Sequence, residues 1–273
     1  MKKRTFLAFS TAALAPLGIL HAKANYPNRP ITVVVPFGPG GGGDIVGRIW
    51  AKHMTAQTGA NVIVENKSGA GGLLGASHVA RSQADGYTLL LGTSGTQIIA
   101  PAVALKPPYD AIQDFELVSM VCGNPTCIAI NPKVPANNLK EFIALAKANP
   151  GKYSYGSAGA GSITNLTGEV FKYQAGNLKV VHVSYKGGGP AMQDLIAGHI
   201  PMITPILTSG VLAQHRAGKA RILCVNNETR LQSAPDIPTA AEAGVPDMNI
   251  VVFSAIFAPA HTSTEAIDML KAA

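Results

Sequence analysis

The sequence lacks several features that would place it in a familiar class of protein. After residue 24 no apolar run is long enough to cross a bilayer, which takes about 20 residues. The three cysteines are an odd number, so they cannot form a complete set of intrachain disulfides. The lysines and arginines are scattered and form no basic stripe with interleaved aromatic residues, so we expect no nucleic-acid partner.

Short catalytic motifs are also missing. There is no G-x-x-x-x-G-K-[ST] P-loop, and Ser94 and Ser157 lie among glycines without the G-x-S-x-G spacing. The histidines have no H-E-x-x-H or similar ligand spacing, and no two cysteines form C-x-x-C. The sequence therefore predicts no catalytic residues, no metal and no cofactor.

Two of the cysteines permit alternative interpretations. Cys122 and Cys127 flank a segment, 123–126, that has the composition of a turn. A local disulfide between them is one interpretation in an oxidising compartment. The other, which we favour, is that Cys122, Cys127 and Cys224 are all buried small apolar residues.

The first 24 residues have the pattern of a secretory signal peptide. A basic start (Lys2, Lys3, Arg4) precedes an apolar run over 5–20, and residues 22–24 match an A-x-A cleavage site. A membrane anchor is the alternative, but the run is short and contains Pro16. We expect residues 1–24 to be removed and the mature protein to be exported and soluble. Since that segment carries four basic residues and no acid, the formal net charge of +7 falls to +3.

The most informative stretch runs from Val33 to Asp44. Residues 31–35 form an apolar β-branched run typical of a strand, 36–43 are rich in glycine, and a helical pattern begins at Asp44. Glycines let a ligand approach backbone N–H groups, and a helix N-terminus adds unpaired donors and the positive end of a dipole. The combination predicts an anion site that needs no cationic side chain.

A dinucleotide-binding turn is an alternative for this stretch. Residues 38–43 fit G-x-G-x-x-G after a strand, and Glu65 stands at the end of the next predicted strand. Against it, Asp44 would repel a pyrophosphate, Pro36 and Pro39 stiffen the turn, and export removes the protein from the nicotinamide pool. For Asp44 itself, an N-cap role and a role in holding the turn while the amides of 40–43 bind a ligand carboxylate are both open.

Strand-like and helix-like segments alternate along the chain, which is typical of βαβ units and a mostly parallel sheet. Glycine-rich turns recur where a predicted strand ends and a helix begins, at 36–43, 68–72, 92–96, 156–162 and 186–190. Ligands of open α/β sheets bind at the carboxyl ends of strands. We therefore expect two groups of loops to face each other across a cleft, with Ser162 as either an N-cap or a ligand contact and Lys186 as either a carboxylate partner or a solvated charge.

Seven segments carry a family resemblance: 35–44, 65–72, 85–89, 92–96, 148–152, 182–191 and 238–244. They include Val-Pro-Phe-x-Pro-Gly-Gly-x-x-Asp and His-Val-x-Tyr-Lys-Gly-x-Gly-Pro-Ala. In this order they resemble the Bug-type extracytoplasmic solute receptors of tripartite tricarboxylate transporters. The resemblance implies an α/β, two-domain periplasmic-binding-protein-like fold of the type II-like Venus flytrap kind, with mostly parallel sheets and a ligand cleft between domain 1 (25–122 and 227–273) and domain 2 (123–226).

The resemblance further implies a monomeric periplasmic receptor that binds a small organic carboxylate and delivers it to a two-subunit membrane permease. An exported enzyme with a glycine-rich anion site and a sensory accessory protein are the alternatives. In the family the carboxylate is held largely by backbone N–H groups and ordered waters. The ligand-binding positions carried over are Phe37, Gly38, Gly40, Gly41, Asp44, Ser94, Thr96, Ser157, Gly159, Ser162, Asn165, Tyr185, Gly187 and Thr204.

Two departures from the family pattern stand out. Relatives often carry His at the position of Asn165 and an acidic residue near Thr204, whereas 202–208 contains no acid here. The chain also stops at Ala273, inside a helix begun near Ser263, where relatives continue. We therefore expect domain 1 to be truncated at its C-terminal end.

The missing acid generates a prediction about the ligand. An ammonium group brought into the cleft would have no carboxylate to compensate it, so the ligand should be a carboxylate without a free amine. Calorimetric titration should show that aspartate and glutamate bind more weakly than their deaminated analogues. Tighter binding of the two amino acids would contradict this expectation.

Overall fold

The computed structural model describes residues 26–272, which contain two five-stranded sheets. The first has the order β2-β1-β3-β10-β4, with β1 Ile31–Val35, β2 Val62–Asn66, β3 Thr88–Thr93, β4 Phe115–Pro125 and β10 Val251–Pro259. The second has the order β7-β6-β8-β5-β9, with β5 Cys127–Ile130, β6 Ser154–Ser157, β7 Val181–Ser184, β8 Met202–Ile203 and β9 Arg221–Val225. The predicted signal peptide lies outside the described residues.

Helices connect most of these strands. They are α1 Gly42–Thr58, α2 Leu73–Ala80, α3 Ala100–Val103, α4 Leu139–Ala148, α5 Ile163–Gln174, α6 Gly188–Ala197, α7 Ser209–Arg216 and α8 Thr264–Lys271. A 3-10 turn precedes α2 and a π-helical turn, Gly95–Ile99, precedes α3. We call the first sheet with its helices the first lobe and the second sheet with its helices the second lobe.

The two sheets are mixed, which corrects the expectation of mostly parallel sheets. As the βαβ alternation predicts, β1 is parallel to β2 and β3, and β6 is parallel to β7 and β8. However, β10 is antiparallel to β3 and β4, and β5 is antiparallel to β8 and β9. β4 and β5, between which the chain passes from the first sheet to the second, and β10, with which it returns, are the strands with antiparallel partners.

The first lobe is organised around β1. Ile31, Val33 and Val35 pack on the α1 side of the sheet, while Val34 packs on the α2 side. A strand covered by helices on both faces needs apolar residues at every position, which explains the uninterrupted β-branched run. This run ends at the carboxyl end of β1, where the glycine loop 36–43 begins. The packing of β1 in the core of the lobe therefore fixes the position of that loop.

The segment around Cys122 and Cys127 is extended, and the predicted turn over 123–126 is wrong. β4 continues through it to Pro125, and β5 starts at Cys127. All three cysteines are free, with Cys127 and Cys224 buried and Cys122 half-buried. The disulfide interpretation therefore fails. A turn composition here is overridden by pairing with β10, since Asn124 lies opposite Val252 and Gly123 opposite Phe253.

The second core extends further along the chain than expected. Ala240, Val245 and Met248 lie in the same buried cluster as Ile128, Tyr155 and Phe171 of the second lobe. The sequence predicted a return to the first domain at residue 227, whereas this later segment packs in the second lobe. The chain re-enters the first sheet only at Val251, where β10 begins.

The segments in which the chain passes from one lobe to the other are linked by a buried polar cluster, which we call the Asn226 cluster. The Asn226 amide donates to Thr126 Oγ1 (2.8 Å), and the Asn226 backbone N–H donates to the Thr126 carbonyl (2.9 Å). The Ile250 N–H donates to the Asn226 carbonyl (2.9 Å), and the Thr126 N–H donates to the Ile250 carbonyl (2.9 Å). Asn226 and Thr126 are fully buried. Three distant parts of the chain are thus tied together where the lobes meet.

Removing the Asn226 amide should destabilise the protein, because the buried Thr126 hydroxyl loses a donor that water cannot replace. We expect Asn226→Ala to lower the free energy of unfolding, measured by urea denaturation, by about 1–3 kcal/mol. The control is Asn227→Ala, since that amide only donates to the nearby Thr229 carbonyl at the surface. Equal effects of the two substitutions would contradict the role of the cluster.

Candidate functional site

A cavity of about 160 Å³ lies between the two lobes. The first lobe contributes Phe37, Gly40, Gly41, Gly42, Gly43, Ile45 and Thr93 to its wall. The second lobe contributes Ala158, Ser162, Ile163, Thr164, Gly188, Met192, Pro205, Ile206, Thr208, Gly210, Val211 and Gln214. The cavity therefore forms where the glycine loops of the two lobes face each other, as the sequence predicted.

Four helices begin at this cavity. The wall includes Gly42 at the start of α1, Ile163 at the start of α5, Gly188 at the start of α6 and Gly210 in the first turn of α7. N–H groups of a first helical turn have no intrahelical acceptor, and the helix dipole is positive at that end. Within residues 26–272, no Asp, Glu, Lys, Arg or His lines the cavity. An anion here would be attracted by backbone groups alone.

The Asp44 carboxylate stabilises the first glycine loop, 36–43, through hydrogen bonds. Asp44 is buried, and its carboxylate accepts hydrogen bonds from the Gly40 N–H (3.0 Å), from Arg48 Nε (3.0 Å) and from Asn66 Nδ2 (2.9 Å). Asn66 Nδ2 also donates to the Phe37 carbonyl (3.0 Å), so the network spans the loop. Asp44 is therefore not an N-cap: Gly41 occupies that position without a side-chain bond.

These contacts determine the charge state of Asp44. Burial by itself would raise its pKa, but the hydrogen bonds from Arg48, Gly40 and Asn66 outweigh burial and lower the pKa below the usual 3.8. The carboxylate is thus ionised at neutral pH and engaged by Arg48, which lies one turn along α1. Because the Gly40 N–H is already bonded to Asp44, the donors left for a ligand are those of the following glycines.

The glycine loop 156–162 of the second lobe is held mainly by side-chain hydrogen bonds. Ser162 Oγ donates to the Gly159 carbonyl (2.6 Å) and accepts from the Asn165 N–H (3.2 Å) as the N-cap of α5. The Asn165 side chain accepts from the Gly161 N–H (3.1 Å) and donates to the Tyr155 hydroxyl (2.8 Å). Of these residues, Ser162 lines the cavity, while Gly159 and Asn165 shape the loop behind it.

Ser157 forms a close pair with His182. Ser157 Oγ and His182 Nε2 are 2.8 Å apart, a spacing found in nucleophile–base pairs. Ser157 is, however, 2% exposed and does not line the cavity, and its hydroxyl also bonds within the loop to Gly159. Burial lowers the pKa of His182, with Lys172 acting in the same direction and Glu169 opposing both. The pair supports the loop and has no access to the cavity.

Several predicted site residues use their polar groups elsewhere. Ser94 Oγ accepts from the Phe253 N–H (3.1 Å), and Thr96 Oγ1 accepts from the Thr93 N–H (3.0 Å). Thr204 Oγ1 donates to the Thr164 carbonyl (2.6 Å), and the Tyr185 hydroxyl donates to Asp194 Oδ2 (2.8 Å). None of these four lines the cavity. Their hydrogen bonds fix the segments that follow β3, β7 and β8.

The lobes touch through glycine backbone. The Gly38 N–H donates to the Lys186 carbonyl across the lobes (2.8 Å). A Cβ on Gly189 would overlap the Pro39 carbonyl oxygen, and one on Gly187 would lie 2.7 Å from the Gly38 nitrogen. In another contact between the lobes, a Cβ on Gly71 would overlap the Ala160 carbonyl oxygen. Larger residues at these positions are incompatible with this approach of the lobes.

Sequence reasoning missed the apolar part of the wall. Ile45 follows Asp44 directly, Met192 lies on α6, and Ile206 and Val211 flank the start of α7. The glycine turns indicate backbone donors, whereas apolar side chains at these positions are equally typical of ordinary core residues. The neutral Gln214, which also lines the cavity from α7, was missed for the same reason.

The fold and the site define a class: two-lobed α/β binding proteins that enclose a small ligand between their lobes. The family model for the tripartite tricarboxylate transporter family receptor matches residues 46–273. The chain belongs to this family. Its described helices, within residues 26–272, include none that is long and apolar enough to span a membrane.

Individual relatives agree with this assignment. BugT of Bordetella pertussis is 36% identical over 272 residues, which are 96% of this chain and 82% of BugT. The structure of the periplasmic binding protein BugD is 35% identical with a TM-score of 0.86, covering 90% of this chain and 81% of BugD. MatC from Rhodopseudomonas palustris, solved with bound malate, is 30% identical with a TM-score of 0.86, covering 90% of this chain and 83% of MatC.

The Asp44 network generates a pH-dependent prediction. Asp44→Asn should lower the free energy of unfolding at pH 7 by about 1–3 kcal/mol, because it removes charged hydrogen bonds around a buried group. A carboxylate with a lowered folded-state pKa stabilises above its unfolded pKa and loses that effect as the pH falls through the folded value. The difference between the two proteins should therefore shrink below about pH 4.

Urea denaturation at neutral and acid pH measures this difference. Asp236→Asn is the control, since Asp236 is an exposed carboxylate that does not line the cavity and its loss should have little effect. An Asp44→Asn protein with unchanged stability at pH 7 would contradict the assigned role.

Proposed function

We infer that this chain is a periplasmic receptor that binds a small organic carboxylate between its lobes and delivers it to a two-subunit permease of the tripartite tricarboxylate type. It acts as a monomer and catalyses no reaction. The observation that carries the proposal is the set of four helix N-termini around a cavity with no ionisable side chain on its described wall. Malate in MatC, a carboxylate in a related protein, supports the same class of ligand.

In this proposal the ligand carboxylate accepts hydrogen bonds from the backbone around Gly41, Gly42 and Gly43, directly or through water. Phe37 and Ser162 complete the wall on either side. The remaining predicted site residues act by holding loops, as Asp44 does for the first loop and Asn165 for the second. Export follows from the predicted signal peptide at residues 1–24.

Binding is coupled to closure of the two lobes. A ligand that touches both lobes stabilises the closed arrangement by its additional contacts there. The packing supports a first domain of residues 26–125 and 251–272 and a second of 126–250, in place of the bounds expected from the sequence. The hinge then lies at the Asn226 cluster, where the chain crosses between the lobes.

A thermal-shift screen with mono-, di- and tricarboxylates tests the proposal. A true ligand at a hundred times its Kd adds about 2.7 kcal/mol of stability, which raises the Tm by roughly 5–10 °C for a chain of this size. Chromatography of the same mixtures should show no consumption of the ligand. A panel with no shift, or turnover of a carboxylate, would contradict the receptor function.

Gly189→Ala tests whether binding requires closure. Alanine favours a helix more than glycine, so the Tm without ligand should stay the same or rise slightly. The added methyl group would meet the Pro39 carbonyl and should abolish the ligand-dependent shift. In the control Gly123→Ala, the new methyl group makes ordinary contact with Val251 within the first sheet, and the shift should remain.

A further inference from the structure

One part of the cavity wall is apolar and comes from both lobes. We call Ile45, Met192, Ile206 and Val211 the apolar wall. Ile206 packs against the start of α1, since a Cβ on Gly42 would lie 3.1 Å from the Ile206 Cβ. Ile45 reaches the start of α7, where a Cβ on Gly210 would lie 3.7 Å from the Ile45 Cδ1. Closure therefore brings hydrocarbon from the two lobes together around the ligand.

The polar side chains of the cavity are mostly committed to their own loops. Ser162 Oγ donates to the Gly159 carbonyl, and Thr164 Oγ1 accepts from the Ala158 N–H (2.8 Å). Thr208 Oγ1 accepts from the Val211 N–H (3.3 Å). The Gln214 side chain makes no hydrogen bond to any residue in the range 26–272. Gln214 is thus an uncharged polar group available to a ligand.

A second carboxylate on the ligand would be poorly accommodated beside the apolar wall. No cation on the described part of the wall would pair with it, and an unpaired carboxylate in apolar surroundings costs several kcal/mol. The helix start in contact with Ile45 is that of α7. Its Val211 N–H is already bonded to Thr208, and the Ile45 side chain lies against Gly210.

We propose that the ligand is a monocarboxylate with an apolar body, which lies against Ile45, Met192, Ile206 and Val211 and ends beside Gln214. The inference rests on the carboxylate-receptor function proposed above and specifies its substrate class. The carboxylate faces the glycine loop of α1, where side chains are absent, and the hydrocarbon faces the apolar wall. Gln214 tolerates a neutral polar group at the far end of the ligand but supplies no charge.

Calorimetric titration with hexanoate and adipate tests the proposal, because the two differ only in the second carboxylate. The wild-type protein should bind hexanoate at least about tenfold more tightly than adipate. Gln214→Lys places an ammonium group at the far end and should reverse the preference. Gln174→Lys adds the same charge at the end of α5 away from the cavity, and should keep the wild-type ratio.

The outcomes separate this inference from the function on which it rests. Adipate binding as tight as hexanoate in the wild type, or binding of malate without hexanoate, would overturn the monocarboxylate assignment and leave the receptor function standing. Failure of every carboxylate in the thermal-shift panel would overturn the receptor function itself. An unchanged ratio in Gln214→Lys would overturn the placement of the ligand's far end beside residue 214.

Discussion

The close approach of two backbones across the cleft is the constraint on which the rest of this structure depends. At Gly38 and Gly189 the first lobe meets the second with no side chain between them, and Gly71 meets Ala160 in the same way. Contacts at this distance require glycine, because a Cβ would overlap a carbonyl oxygen or an amide nitrogen. The glycines that make the loops compact are therefore also those that let the lobes enclose a ligand.

The electrostatic design follows from the same constraint. No lysine or arginine lines the described part of the cavity, so the attraction for an anion must come from the N–H groups at the starts of helices. Such donors are useful only if the loops that carry them are rigid. Asp44 with Arg48 and Asn66 provides that rigidity in the first lobe, and Ser162 with Asn165 provides it in the second. The charged residues Asp44 and Arg48 stabilise the loop, while the described cavity wall itself contains no charged side chain.

Local sequence patterns were sufficient to predict much of this arrangement. β1 and α1 follow from an apolar run, a glycine turn and a helical period that are contiguous in the chain, and the facing glycine loops follow from their position after strands. β10 was missed, because its pairing with β3 and β4 joins segments more than a hundred residues apart. Hydroxyl directions at Ser94 and Thr204 were also unpredictable, since their partners Phe253 and Thr164 come from other elements.

The separation of backbone and side-chain roles in the cleft has a consequence for how such receptors diversify. Closure and anion attraction depend on main-chain geometry, which is unaffected by exchange of the side chains at Ile45, Met192, Ile206, Val211 and Gln214. In the proposed receptor, substitution at these few positions can change the solute without altering the loops or the hinge. Under the proposed function, selectivity resides in the side chains of the lining and is separate from the backbone frame that closes on the ligand.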